Sequence, residues 1–514
     1  MDCLKNLTNS FFLFFSRCPA FLFSLFFFLG LAFGVRPREA LLLPMFFLSL
    51  PWINKPLRFL PYLALLGVGF FYGNISKEHF PKNKAKIEGT ATFCPLEIKE
   101  YQMHFKKGYS LKGIIESMEG NTDEIASQIP CSISLPSSLR PLKANKYLIQ
   151  GTLEKENEKF RFTPNLDTAW IGLGETFSIV EWRFRVKAYT AKKIQILYSK
   201  PLVAKFLIAI TLGDLSDQLL RFSFNKLGLQ HILAISGFHF GLLVLFLAFF
   251  FSLFLPKKWA TLALLIAITG YFILLGFSPS ILRAYLACLL YLIGKLCHKA
   301  PNSLNILGTV LLLELLFKPQ SITHLGFQLS FLATGSILIL FPITFSWMKK
   351  LFPQRSLKEV LDLRIKDKWA YLLCCFLRST FALNLAVHLT VVPVCLFYFT
   401  KFPLISLIYN LFIPLGVSFS LFLLLLSLPF ILLVPPIGLL ITHLNQTFTG
   451  FLLELITEAP NRFTFYLTLP YISQSLLTPL LFLFLLGIFS LPLFIKPKQK
   501  LENNIFNKKE LINA

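Results

Sequence analysis

Residues 403–434 read PLISLIYNLFIPLGVSFSLFLLLLSLPFILLV, with no Asp, Glu, Lys or Arg among them. A helix rises about 1.5 Å per residue, so this stretch is long enough to cross a hydrocarbon layer roughly 30 Å thick. Core helices of water-soluble domains seldom run so far without an interrupting charge. The same signal recurs near 229–255, 259–276, 281–297, 304–317, 325–345, 371–399, 436–457 and 475–495, and earlier near 11–34, 39–53 and 57–73. Gly, Pro and polar residues interrupt several of these segments and leave re-entrant pieces open, so about 10 to 13 spans are expected. The first segment lacks a clear small-residue cleavage site and runs on into further apolar segments, so it reads as an anchor.

The rest of the composition agrees. The 514 residues are 55% hydrophobic and include 58 Phe, and the mean hydropathy is +0.65. The fold class is a polytopic α-helical membrane protein. Fifty Lys plus Arg against 26 Asp plus Glu give a formal charge of +24. That excess suits a nucleic-acid partner, yet cytoplasmic loops collect Lys and Arg for topological reasons alone. The most basic long loop carries Lys349, Lys350, Arg355, Lys358, Arg364, Lys366 and Lys368. Setting it in the cytoplasm also sets Lys257, Lys258, Lys295, Lys299 and a polar tail, 496–514, there. Arg36 and Arg38 would then face outward, against that rule.

Counting back from that loop leaves residues 74–200 outside. There the chain turns polar, Lys-rich and punctuated by Pro and Gly. Alternation in Lys86–Phe93 and Tyr147–Glu154 marks strands, so a small, mainly β domain is inserted between the first spans and the rest. From Trp182 to Tyr198, Trp182, Val186, Tyr189 and Leu197 share one helical face, and Arg183, Arg185, Lys187, Lys192 and Lys193 surround it. Such a basic amphipathic helix suits a membrane surface. The expected plan is 1–73 N-terminal helices, 74–180 outward β domain, 181–200 linker helix, 201–495 main membrane domain and the tail. Cys94 and Cys131 are the two cysteines of the outward domain, and a disulfide between them is one expectation. Cys288, Cys297, Cys374, Cys375 and Cys395 lie in or beside apolar spans, where Cys packs as a small hydrophobe.

The most unusual segment is Gly228-Leu-Gln230-His231-Ile-Leu-Ala-Ile-Ser236-Gly237-Phe-His239-Phe-Gly241. Polar groups at this density in an apolar span are costly unless they meet one another or line an aqueous cavity. Ser236-Gly237 also invites a local break or a close helix contact. Further along stand Ser278-Pro-Ser-Ile-Leu-Arg283-Ala284, Gly326-Phe-Gln328-Leu-Ser330-Phe-Leu-Ala333, Val392-Pro393 and Pro403-Leu-Ile-Ser-Leu-Ile-Tyr-Asn410-Leu-Phe-Ile-Pro414.

Together with Leu212-Gly213-Asp214, these segments resemble, in order, the motifs of the ComEC competence family. Those motifs are a G-D pair, G-L-x-H-L-L-A-I-S-G-x-H, S-x-S-x-x-R-A, G-F-Q-L-S-F-x-A and N-x-x-x-P. The resemblance implies a channel that passes single-stranded DNA through the inner membrane into the cytoplasm during natural transformation. It also implies that the 74–180 region is an OB-like domain. Such a barrel binds single strands by base stacking and phosphate contacts. Tyr101, Phe105, Tyr109, Phe160, Phe162 and Trp170 are stackers on that view, or simply barrel core. Many members add a metallo-β-lactamase-like domain, which needs a His-x-His-x-Asp-His metal motif. The 8 His of this chain include no such arrangement, and the sequence ends about 20 residues after its last apolar segment. The resemblance is thus to a member lacking that domain, with no cofactor and no metal expected.

On this reading Asp214, Gln230, His231, Ser236, Gly237, His239, Arg283, Gln328, Ser330 and Asn410 line or gate the path. Arg283 is the best phosphate contact, because a guanidinium offers paired donors and stays charged. It equally reads as an ion-paired or snorkelling group. Implied partners are single-stranded DNA, a DNA receptor, a cytoplasmic ATP-driven motor and the lipid bilayer, with a homo-oligomer left open. The motor would be separate, since no Walker-type loop is visible. Two other classes stay open on the residues alone. A transporter of another polar or anionic solute would also need polar intramembrane groups. An intramembrane hydrolase would use Asp214, Ser236, His231 and His239, although neither His-x-x-x-His nor a nucleophile elbow occurs.

Overall fold

The computed structural model describes residues 18–35, 56–75, 86–103, 106–120, 125–136, 144–156, 159–165, 168, 170–173, 178–215, 217–235, 237–299, 301–458, 465–468, 480–481, 483–485 and 487–489. The expected span at 39–53, the tail and most of 475–495 lie outside them, as does Ser236. Among the described residues two helices come first, α1 (Pro19–Val35) and α2 (Pro56–Ile75). Helix α1 is apolar on all sides because it is enclosed: Phe21, Leu25, Phe26 and Phe28 are buried against the membrane bundle.

The β domain follows as β1 (Lys86–Met103), β2 (Lys106–Gly120), β3 (Ile125–Pro136), β4 (Lys146–Glu156), β5 (Lys159–Pro164) and β6 (Ile171–Leu173). Its strand order is β1-β2-β3-β5-β4, and β4 pairs back to β1 to close the ring, with β6 added outside β4. All pairs are antiparallel except β3–β5. This is the five-stranded Greek-key barrel of an OB-like fold. Alternate residues fill it: Ile87, Ala91 and Phe93 from β1, Ile129, Ile133 and Leu135 from β3, and Ile149 and Leu153 from β4. Of the aromatic residues considered for stacking, Phe162 is core and Phe160, Tyr109 and Trp170 pack against it. The side chains of Tyr101 and Phe105 lie outside the described ones.

The Cys94–Cys131 disulfide is corrected here, because both are free thiols. Cys94 aligns with Ile114 on β2, and Cys131 aligns with Gly113 on the far side of β2. The two are therefore two strand spacings apart, roughly 10 Å, beyond the reach of a disulfide. They also face opposite ways, since Cys131 shares the inward face of Ile129 and Ile133 while Cys94 follows the inward Phe93. Burial pushes the Cys131 thiol up to about 12.

Beyond the barrel come α3 (Ile179–Leu197), α4 (Pro201–Leu212), α5 (Gln218–Lys226), α6 (Gln230–Leu233), α7 (Gly237–Phe254), α8 (Lys257–Leu275), α9 (Pro279–Leu296) and α10 (Ser303–Phe317). They continue as α11 (Leu325–Leu351), α12 (Leu357–Leu361), α13 (Ile365–Phe399), α14 (Ser406–Leu433) and α15 (Pro435–Thr457). Among the described residues, six helices are long and apolar enough to cross a membrane: Gln230–Phe254 taken as one span, α8, α9, α11, α13 and α14. Pro19–Ala32, Ala64–Asn74, α4 and α10 are shorter apolar helices. The 403–434 stretch is helical only from Ser406, because Lys401–Pro403 pairs as a short strand, β7, with β8 (Tyr466–Thr468). Outward-facing Phe249, Ile266 and Leu432 are exposed, as a lipid-facing surface requires.

Short connections reverse the chain between successive long helices, so the ends of the bundle alternate. The basic residues Lys257, Lys258, Lys295, Lys299 and the 349–368 loop gather at one end. The barrel sits at the other.

Candidate functional site

The barrel is fastened to the bundle through α3. Arg183, buried at 6% exposure, donates from Nε to the Ile273 carbonyl at 2.8 Å and from Nη1 to the Leu96 carbonyl of β1 at 3.2 Å. Lys187 Nζ donates to the Leu275 carbonyl at 2.9 Å. The final carbonyls of α8 lack helical partners and carry the negative end of its dipole, so two cations are the natural cap. Gly276 follows with φ +92, and a Cβ there would come 2.9 Å from Arg183 Nη1. On the other side of the joint, Tyr109 meets Phe184 edge to face. Burial lowers Lys187 to about 8, Glu97 and Asp214 opposing that shift while Lys99 and Arg183 add to it. Burial also raises Asp214, against Lys99 and Lys187. Asp214 thus belongs to the charge cluster under the barrel.

One turn beyond this joint, α9 carries Arg283. Its Nη2 lies 3.4 Å from where a Cβ on Gly237 would sit. A Cβ there would make ordinary van der Waals contact with the guanidinium, so Arg283 lies directly beside the start of α7. The Arg283 guanidinium lies over the Phe331 ring, 5.7 Å from the centroid, an attractive arrangement for a desolvated cation. It has no hydrogen bond among the described residues, and its Nη1 is buried without a partner. Three of the sequence motifs therefore meet at one guanidinium: the glycine of the first, the arginine of the second and the phenylalanine of the third.

Gln328 is placed differently. It is 2% exposed, donates from Nε2 to the Ile322 carbonyl at 2.8 Å and accepts from Tyr398 Oη at 3.1 Å. Those bonds hold the start of α11 to the end of α13. Ser330, partly buried, lies on the same first turns of α11.

A second polar group surrounds His388, which sequence reading overlooked. Its Nδ1 donates to the Asn384 carbonyl at 2.7 Å, leaving Nε2 to accept from Asn410 Nδ2 at 3.5 Å. Asn410 Oδ1 is buried without a partner. His231 lies within electrostatic range of both His388 and His239. His231 is exposed. Gln230 beside it is exposed, and His239 is buried. The turn before them is closed by Gly228 at φ +70, where a Cβ would lie 2.8 Å from Pro403 Cγ and 3.0 Å from Ser406 Cβ. The first motif is thereby packed on the fourth.

Apart from His388 and Asn384, about three to four turns in from the end of α13, these residues lie near the barrel-side ends of their helices, and the basic loops lie at the opposite ends. Glu314, which is 1% exposed, was also missed. It is the lone charged residue of the apolar run 303–317, a signal that was available. Its Oε2 is buried without a partner.

The family described as Competence protein matches residues 212–494, over half of the chain. ComE operon protein 3 of Bacillus subtilis (strain 168) is 36% identical over 135 residues, which make up 26% of this chain and 17% of that relative. The match thus spans far less than two thirds of the relative's length. No solved structure matches.

Proposed function

Since the chain belongs to the competence-protein family of the ComEC type, we propose that it acts in DNA uptake as a conduit for single-stranded DNA across the inner membrane. It is a channel and not an enzyme. The observation that carries this reading is the meeting of Gly237, Arg283 and Phe331 beneath an OB-like barrel, with a guanidinium that has no hydrogen-bond partner among the described residues. A charge is expensive at such a depth unless function uses it. A phosphate oxygen supplies the acceptor that Arg283 lacks, with paired donors facing it.

The barrel side faces outward and the basic loops face the cytoplasm, in keeping with the positive-inside rule. Strands enter beside Asp214 and the α3 joint, pass Arg283 and Gly237, and then meet Gln230, His231, His239 and Asn410. Ser330 lies along that wall. Gln328, with both ends of its amide engaged, fixes the wall from behind. A receptor outside delivers the strand and a separate ATP-driven motor draws it inward. On this reading the strands between Lys86 and Leu173 form the DNA-binding barrel, and the helices from Pro201 onward form the channel.

Uptake of labelled DNA tests this in a competent host lacking its own channel but retaining its receptor, motor and nuclease. Wild type is expected to restore cytoplasmic label. Arg283→Ala, inserted at normal abundance, is expected to lower it on the order of a hundredfold, the value of a charge-assisted hydrogen bond or two. Cytoplasmic label at the wild-type level with Arg283→Ala would take Arg283 off the path.

A further inference from the structure

The antiparallel hairpin of α9 and α10 sets Arg283, one turn after Pro279, level with Glu314, one turn before Phe317. The two groups lie within electrostatic range of each other, yet among the described residues they form no direct ion pair. Neither side chain has a hydrogen bond among the described residues, and each leaves one buried polar atom unpartnered, Nη1 on Arg283 and Oε2 on Glu314. Lys318, over the Phe277 ring at 5.3 Å, is a second cation in range of the same carboxyl. Evolutionary convenience would close such a pair into a salt bridge or replace it with apolar residues, either of which is less costly than two charges held apart.

We propose that Glu314 is the resting counter-charge of Arg283, tempering its hold on a passing phosphate so that the strand is released instead of trapped. This rests on the channel reading above. A pore site must bind well enough to admit its cargo and weakly enough to let it leave. A lone desolvated guanidinium would grip a phosphate by charge-assisted bonds and hold it. A carboxylate near the guanidinium, but not bonded to it, lowers that grip by Coulomb competition while leaving the donors free to engage the next phosphate. Glu314 therefore acts through Arg283 as a positioning residue for the cargo and does not itself touch it.

The test uses the full chain in nanodiscs for affinity toward a fluorescent oligothymidylate, and the same variants in the host for uptake. Glu314→Gln, which keeps the shape and removes the charge, is expected to bind about tenfold tighter and to pass DNA more slowly, the tenfold being about 1.4 kcal/mol of lost competition. A merely structural glutamate would lower affinity and uptake together. Arg283→Gln is expected to weaken binding, and Glu314→Gln added to it to change nothing further, a coupling that a double-mutant cycle reads. Unchanged or weaker binding by a folded Glu314→Gln chain overturns the counter-charge. Wild-type binding and uptake by Arg283→Gln would instead overturn the channel contact on which it rests.

Discussion

The two ends of the membrane bundle each set an arginine against a phenylalanine ring, and they use it in opposite ways. Toward the basic loops, Arg378 lies 5.5 Å from the centroid of Phe345, donates from Nη1 to the Phe352 carbonyl at 3.1 Å and from Nη2 to Cys375 Sγ at 3.5 Å. Only its Nε is left buried without a partner. It ties α13 to the C-terminal end of α11, where a cation suits the helix dipole. On the barrel side, Arg283 has the ring but no hydrogen bond among the described residues. Both are cations set against a phenylalanine ring, Arg378 buried and Arg283 half-buried, so a cation beside a ring does not by itself mark a site. What separates them is whether the neighbouring backbone has already used the donors.

The sharpest way to break this comparison is to remove both arginines in turn. Arg378→Ala is expected to destabilise the folded chain by about 3 kcal/mol, through lost hydrogen bonds and packing. Arg283→Ala is expected to leave stability within about 1 kcal/mol of wild type, since it removes a charge that had no hydrogen-bond partner, while uptake falls as stated above. Unfolding in detergent checks both, and equal losses of stability would erase the distinction. A smaller effect is expected at the barrel joint. Arg183→Ala frees the Ile273 and Leu96 carbonyls and should loosen docking by about 2 kcal/mol, read as faster protease cleavage near α3 with the barrel itself still folded.

The joint should also respond to pH, more weakly. Lys187 falls to about 8 in the folded protein from an ordinary value of 10.5. Between those values the unfolded state binds more protons than the folded state, so stability rises with pH across that window. The penalty for charging Lys187 is fully present below about 8 and is relieved as pH climbs toward 10.5. Because the side chain keeps some solvent contact, the expected amplitude is on the order of 1 kcal/mol. Lys187→Met should flatten the difference between protease-resistance profiles measured across that range; a profile identical to wild type would count against the buried lysine.

Much of the architecture was legible because it follows from solvent. Charge-free runs such as 403–434 announce spans, and the alternation in Lys86–Phe93 announces a strand, whatever their neighbours. The motif residues were legible as a set, but their division of labour was not. Gln328 and Arg283 look equally out of place in an apolar sequence. Only the fold shows that Ile322 and Tyr398 meet both ends of the Gln328 amide. Glu314 stood out as the lone charge of its run and could have been read, whereas His388 gives no pattern until Asn410 is packed on it. The disulfide failed on information that the strand pattern held. Phe93 and Ile129 are inward residues, so alternation sends Cys94 outward and Cys131 inward.

The central claim is that the strand passes the barrel-side arginine, and photo-cross-linking tests it most directly. A photoreactive amino acid replaces Phe331 beside Arg283, or Phe249 on the lipid-facing surface, where the native side chain is 65% exposed. DNA stalled in transit by a bulky block at its trailing end is then irradiated in cells. The account predicts a DNA adduct at position 331 that disappears with Arg283→Gln, and none at 249. Adducts of equal yield at both positions, or none at 331 in a variant that still imports DNA, would contradict it.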